Sequence, residues 1–335
     1  HGHGDETGVS AGLMNLEAAP FFDDVADGPP GGAAHWLRAS DGVRIRVGHW
    51  VPANAKGTVL LFPGRSEYVE KYGRAAADLY QRQFATITID WRGQGLADRM
   101  LEDARIGHVH RFTDYQKDVA AMVRAAQALD LPRPYFLMAH SMGGCIGLRS
   151  LIEGLPVQAV VFSGPMWGIR IAPTTRPVAW ALSFGSGWIG QGHRLPPGTK
   201  IDAYVTSEPF EDNLLTTDAD MHDYMVRQLR IHPELSLGGP SLIWLREALR
   251  ECRYLARRCT PDLPCLTVMG GNERIVDIAR IRDRMNTWPG SRLDVIEGAE
   301  HEVLMESAQT RTRIFDQAAD LFSNNMESNA SAQSA

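Results

Sequence analysis

Residues 139–144 read Ala139-His140-Ser141-Met142-Gly143-Gly144, between an apolar run at 134–139 and a helical pattern at 142–152. A serine flanked by small residues two places before and two after, at a strand-to-helix junction, is the pattern of a nucleophile elbow. Small residues are needed because strand and helix must approach across a strained turn, and Ala139 stands where glycine is usual. The Ser141 hydroxyl then projects into the crevice at the carboxyl ends of the strands, and the helix N-terminus behind it favours developing negative charge. A plain glycine-rich turn with a solvated serine is the alternative, and the strand-to-helix setting argues against it.

Outward from this elbow the chain alternates apolar strands with amphipathic helices. Strands are expected at 35–39 and 43–50, joined by the turn dipeptide Asp41-Gly42, and at 57–62, 84–90, 134–139, 157–163, 265–270 and 293–296. Helices are expected at 68–83, behind a capping box of Thr113 with Gln116, and at 142–152, 241–256, 278–285 and 309–322. Runs apolar throughout, separated by helices, predict an α/β architecture: a mostly parallel eight-stranded sheet flanked by helices on both faces. The alternation stops between 165 and 238, where Trp, Pro and Gly punctuate helical fragments without a clear strand. That stretch reads as a helical cap inserted into a core made of 33–164 and 239–322, with an N-terminal extension at 1–32 and a disordered tail at 323–335.

A serine hydroxyl is a weak nucleophile until a base takes its proton. The base must lie on a later loop at the same sheet edge, and His301 in Gly298-Ala299-Glu300-His301 follows the last strand. Among 11 histidines it is position that selects this one. His140, beside the nucleophile, should point away from it and reads as structural. The acid that orients the base should follow the penultimate strand, where Glu273 and Asp277 compete. Glu273 stands directly past the strand end; Asp277 precedes a helical pattern and suits an N-cap, so it is kept as the alternative acid. An oxyanion needs two backbone N–H donors. Met142 offers one, and Arg65, after the turn Pro63-Gly64, offers the other; the role of the Arg65 side chain stays open. Arg92-Gly93-Gln94-Gly95 lacks the lysine and spacing of a phosphate loop and reads as a structural turn. In the cap, Trp167, Phe184 and Trp188 are candidate substrate-lining residues, with the cap's own core as the rival reading.

Composition bounds the rest. The 335 residues are 44% hydrophobic and 22% charged with net charge −6, an ordinary globular balance without the basic face that nucleic acid requires. No run reaches the ~20 apolar residues of a membrane span; the nearest, 177–189, is interrupted by Ser183, Gly185, Ser186 and Gly187. Four cysteines fit neither a zinc site nor a disulfide framework, and residues 1–30 show no basic-then-apolar leader, so a reducing, cytoplasmic setting is expected. An apolar cap rim would add transient contact with the inner membrane surface. The chemistry needs no metal or organic cofactor.

Five ordered stretches then carry a resemblance: 62–68, 90–95, 139–144, Gly238-Gly239-Pro240-Ser241 and Gly298-Ala299-Glu300-His301-Glu302. Together they are similar to the bacterial lysophospholipase L2 and monoacylglycerol lipase group of α/β-hydrolases, across about residues 33–322. The resemblance implies hydrolysis of the acyl ester of a monoacyl lipid, a lysophospholipid or a monoacylglycerol, under a helical cap. It implies Ser141, Glu273 and His301 as triad and Arg65 with Met142 as oxyanion donors. Pro63 in place of the His of monoacylglycerol lipases, and Glu273 in place of their Asp, resemble the lysophospholipase L2 branch. The same triad would serve a short-chain ester or lactone hydrolase, or an acyltransferase; a silent binding module would leave the filled triad positions unexplained.

Overall fold

The computed structural model describes residues 16–171 and 175–326. Eight strands form one sheet: β1 (Ala33–Arg38), β2 (Arg44–Trp50), β3 (Gly57–Phe62), β4 (Phe84–Asp90), β5 (Tyr135–His140), β6 (Val160–Ser163), β7 (Cys265–Gly270) and β8 (Arg292–Ile296). Their spatial order is β1-β2-β4-β3-β5-β6-β7-β8, with β1–β2 and β2–β4 antiparallel and the other pairs parallel. The central strands β3, β4 and β5 are buried at every residue, as strands covered on both faces must be. The period-2 pleat sorts their side chains between two cores. Leu60, Phe62, Leu137, Ala139 and Phe162 face one cluster; Val59, Leu61, Phe136, Met138 and Val161 face the other.

The helices are α1 (Asp23–Ala26), α2 (Gly73–Gln81), α3 (Tyr115–Ala128), α4 (Met142–Ile152), α5 (Arg176–Trp188), α6 (Tyr204–Ser207), α7 (Ala219–Ile231), α8 (Leu242–Ala256), α9 (Ile278–Asn286) and α10 (Ala308–Ser323). Residues of α3, α4, α8 and α9 pack into the first core, and residues of α2, α7 and α10 into the second. The stretch 165–238 holds α5, α6, α7 and a 3-10 turn at Pro233–Leu235, with no strand among its described residues. It is tied to the N-terminal segment through α7, where Tyr224 donates to Ala26 O at 2.6 Å and Gln228 to Val25 O at 3.0 Å. No helix among the described residues is long and apolar enough to cross a membrane.

Several local expectations change. The helix expected at 68–83 is a 3-10 turn, Val69–Tyr72, followed by α2. At the junction a Cβ on Gly73 would lie 1.9 Å from Ala26 O, so close backbone approach dictates glycine. The Thr113–Gln116 capping box does not form. The N-cap of α3 is Asp114, and Gln116 instead donates to Ile146 O at 3.0 Å and accepts from Ser150 Oγ at 2.7 Å, so a tertiary contact displaces the local one. Strand β6 begins at Val160 rather than 157. Of the tail expected from 323, Ser323 closes α10, and 327–335 lie outside the described residues, as do 1–15 of the expected N-terminal extension. Residues 16–32 carry α1 and an isolated bridge from Ala18 to His35.

Candidate active site

Ser141 sits between β5 and α4 with φ 51° and ψ −117°, a left-handed backbone that costs a non-glycine residue roughly 1–3 kcal/mol. The packing that imposes it is readable from the glycines. A Cβ on Gly143 would lie 2.1 Å from Phe62 O, and one on Gly144 would lie 2.7 Å from Pro165 Cβ. Ala139 is accommodated because the residue facing it is Gly147, whose Cβ position is 3.3 Å from Ala139 Cβ.

His301, on the loop after β8, reaches this serine. Its Nε2 lies 2.9 Å from Ser141 Oγ, and its Nδ1 lies 2.8 Å from both Glu273 oxygens. Glu273 also accepts from the backbone N–H groups of Ile275 at 3.0 Å and Val276 at 2.9 Å. Burial alone would raise the Glu273 pKa, but the bonds to His301 and to these N–H groups hold it below its ordinary value. An ionised Glu273 makes Nδ1 the donor, which leaves the Nε2 lone pair to accept from the Ser141 hydroxyl. Space for the ring comes from Gly164, φ 46°, where a Cβ would stand 3.3 Å from Nδ1. Sequence reasoning passed over Gly164; its only signal was a glycine directly after a strand. Asp277 is elsewhere: its Oδ1 accepts the Ala279 N–H at 3.0 Å as the N-cap of α9.

The loop 63–67 lies against the elbow and is pinned on several sides. Trp91 Nε1 donates to Pro63 O at 2.9 Å, and Gln94 Nε2 donates to Gly64 O at 2.9 Å and Glu67 O at 3.0 Å. The Gly64 N–H donates to the Glu67 carboxylate. Among the described residues the backbone N–H groups of Arg65 and Met142 have no partner within the protein. The Arg65 side chain turns away, donating to Gly238 O at 2.7 Å and lying 5.8 Å over the Trp244 ring. Arg92 is structural, bound to buried Asp118 at 2.8 Å and to Asp41 at 2.7 Å.

A buried polar group unforeseen in the sequence lies beside the pair of Ser141 and His301. Lys71 Nζ is 2.8 Å from Glu67 and 2.5 Å from Glu302. His140 completes the group: its Nδ1 is 3.0 Å from Ser163 O, its ring is 5.0 Å from that of His301, and burial lowers its pKa to about 4, so it is neutral. Donor atoms of Glu67, His140 and Glu302 lie within 4.8 Å of one another, close enough for a metal ion, but the Lys71 ammonium already supplies the cation there. The one available signal was Glu302, adjacent to His301.

Ser141 and His301 open into a cavity of about 410 Å³ whose walls include Met166, Ile169, Leu214, Leu229 and Trp244. Trp167, Phe184 and Trp188 are not among its walls, which corrects the sequence expectation. Trp167 packs edge-on against Phe162 at 4.8 Å and donates to Gly144 O at 3.1 Å, so it is core supporting the elbow. Phe184 stacks on Trp180 at 5.0 Å, and Trp188 is 91% exposed. A pattern of aromatic residues gives no direction to side chains on an insert, and these three lie outside the cavity wall. A wider hollow of about 690 Å³, bordered by Trp167, Arg257, Arg280 and Thr287, contains neither Ser141, His301 nor Glu273.

Comparison with known proteins gives the chain's family and its fold. A family model described as serine aminopeptidase, S33 (Hydrolase_4) matches residues 53–308. Lysophospholipase L2 of Escherichia coli (strain K12) is 30% identical over 293 residues, covering 84% of this chain and 85% of that one. Probable lysophospholipase L2 of Haemophilus influenzae is 28% identical, covering 89% and 92%. Among solved structures, a soluble variant of monoglyceride lipase from Saccharomyces cerevisiae, in complex with a substrate analog, superposes with TM-score 0.67 at 19% identity, over 87% of this chain and 95% of that one. A carboxyl esterase from Bacillus coagulans gives TM-score 0.68 at 14% identity, over 89% and 100%. At such identities the structural likeness speaks for the fold.

Proposed function

The chain belongs to the serine aminopeptidase S33 (Hydrolase_4) family of α/β-hydrolases, and from that premise we propose that it hydrolyses the carboxylic ester of a monoacyl lipid, a lysophospholipid or a monoacylglycerol, through an acyl-enzyme. Ser141 is the nucleophile, His301 the general base and Glu273 the acid that orients it. Ser141 Oγ attacks the ester carbonyl as His301 Nε2 takes its proton, and ionised Glu273 stabilises the resulting imidazolium. The N–H groups of Arg65 and Met142 hold the oxyanion. His301 then returns the proton to the departing alcohol oxygen. A water, deprotonated by the same nitrogen, releases the fatty acid and restores Ser141.

The observation that carries this reading is a hydrogen-bonded Ser141–His301–Glu273 chain opening into a largely apolar cavity of about 410 Å³, within the size range of lipid and drug-sized ligand sites. An aminopeptidase would need a carboxylate free to receive the substrate's amine. The two that border this cavity, Glu67 and Glu302, are both bonded to Lys71, which favours an ester over a peptide. The test is a hydrolysis panel of lysophospholipids, monoacylglycerols, p-nitrophenyl esters and aminoacyl p-nitroanilides, with fatty acid and transfer products quantified. Turnover of the monoacyl lipids and its loss in Ser141→Ala are expected. Preference for the anilides, or an active Ser141→Ala, would overturn the reading.

A further inference from the structure

The wall of the catalytic cavity carries a charge without a counter-charge. Among the described residues the Arg65 guanidinium makes a single hydrogen bond, from Nη1 to Gly238 O at 2.7 Å, and no carboxylate pairs with it. The arginines buried in the interior are better satisfied. Arg46 is bound by Glu70 and Asp90, Arg92 by Asp41 and Asp118, and Arg284 by three oxygens. The carboxylates bordering the cavity do not serve Arg65, because Glu67 and Glu302 are both bonded to Lys71. Burial pushes the Arg65 pKa down to about 10, so the group is still protonated at neutral pH. A cation held in apolar surroundings without an anion is costly, and an anion that enters beside it is bound the more strongly.

The tip of the side chain lies among walls of the cavity. It stands 5.8 Å over the Trp244 ring, and a Cβ on Gly107 would lie 3.1 Å from its Nη1 and 3.2 Å from Leu237 Cδ2. The carbonyl that orients it is fixed in turn, since the Gly238 N–H donates to Arg105 O at 2.7 Å and the Gly107 N–H to Gly239 O at 3.0 Å. Tying the loop 63–67 to Gly238 O would need only a neutral donor, so the tether leaves the charge unexplained. Spacing gives the charge a use. The Arg65 backbone N–H is assigned to the oxyanion, and an extended arginine reaches up to about 7 Å from its own N. In a monoacyl glycerolipid a phosphate on the far glycerol carbon lies about 7 Å from the scissile carbonyl when extended. The planar fork of a guanidinium also matches two oxygens of a phosphate.

We propose that the Arg65 guanidinium receives the head-group phosphate of a monoacyl phospholipid, so that Arg65 sets the cavity's preference for a phosphate-bearing lipid over a neutral monoacylglycerol. This rests on the lipid-ester reading. The test compares kcat/KM for decanoyl lysophosphatidylglycerol and monodecanoylglycerol, both as monomers below micelle formation. Because one backbone N–H serves both substrates, their ratio cancels any change at the oxyanion. The wild type should favour the phosphate-bearing lipid, and Arg65→Met should lower the ratio about tenfold to hundredfold, chiefly through KM. Arg65→Lys, which keeps the charge but not the fork, should recover part of it. A residue that only tied the loop down would weaken both substrates alike, and an unchanged ratio would overturn the proposal. Ser141→Ala protein, which keeps Arg65, gives a second reading: titration followed by tryptophan emission should show at least about tenfold tighter binding of the phosphate-bearing lipid, and equal affinity would also overturn it. If that preference is present but the wild type hydrolyses neither lipid, the catalytic reading alone fails.

Discussion

Replacing Glu273 by Gln tests the proposed relay at the point where two acids competed in the sequence. The carboxylate holds His301 Nδ1–H at 2.8 Å through either oxygen and keeps two backbone N–H bonds. Gln is isosteric, so one oxygen can still accept from Ile275 and Val276 while the amide N–H₂ faces the ring. Nδ1 must then accept, the proton moves to Nε2, and Ser141 loses its base. The equivalent amide substitution in a serine protease triad drops kcat about 10⁴-fold, and here a loss of about 10³–10⁴ is expected, equivalent to roughly 4–5 kcal/mol of transition-state stabilisation. Asp277→Ala is the control. It removes an N-cap bond worth about 1 kcal/mol and should lower the melting temperature by about 1–2 °C while leaving turnover within about threefold. Steady-state kcat/KM on a p-nitrophenyl ester, with thermal unfolding of both variants, separates the two. Near-normal turnover in Glu273→Gln, with collapse in Asp277→Ala, would refute the relay as argued.

Gly143→Ala should be the harshest small substitution, because its methyl would meet the Phe62 carbonyl at 2.1 Å, a backbone atom that cannot swing aside; the expected result is lost esterase activity and a melting temperature lowered by many degrees. Arg92→Met leaves buried Asp118 without its 2.8 Å partner and should cost about 3–5 kcal/mol in urea unfolding, and adding Asp118→Leu should recover part of that loss. Buried His140 has its pKa lowered from 6.5 to about 4, so the unfolded chain binds a proton there sooner than the folded one. Its contribution is complete above pH 6.5 and declines as pH falls towards 4, by up to about 3 kcal/mol. His140→Gln should therefore flatten the acid limb of a stability-versus-pH curve, and an unchanged slope would contradict the assignment.

The buried group of Glu67, Lys71, Glu302 and His140 couples the site to the fold. Glu67 bonds the Gly64 N–H, Tyr72 and Lys71 at once, so the loop offering the Arg65 N–H is held by the same carboxylate that neutralises the lysine. Burial pushes the Glu67 pKa up, but the attraction of Lys71 together with hydrogen bonds from Lys71 and Tyr72 more than offsets it and holds the carboxyl at about 2.

Local sequence determined what local physics controls. Uninterrupted apolar runs can only be strands covered on both faces, which made the parallel sheet legible. Small residues around Ser141 mark a turn too tight for anything else, and a histidine after the last strand stands at the right sheet edge. Glu273 could be ranked above Asp277, because a residue preceding a helical pattern has its own use as a cap, but both carboxylates stayed open until side-chain positions were known. What waited for the tertiary structure was everything set by the direction of side chains across distant segments. Trp167, Phe184 and Trp188 turned to core, to a neighbouring ring and to solvent, since an insert's periodicity does not say which way it docks. The partnership of Lys71 with Glu302 spans more than 200 residues of chain, and the serine-inward face of α5 inverts the usual rule. The first depends on how the turn after β3 meets the loop after β8, the second on how the insert docks, and the free energy that decides both comes from packing between segments that the linear order never places side by side.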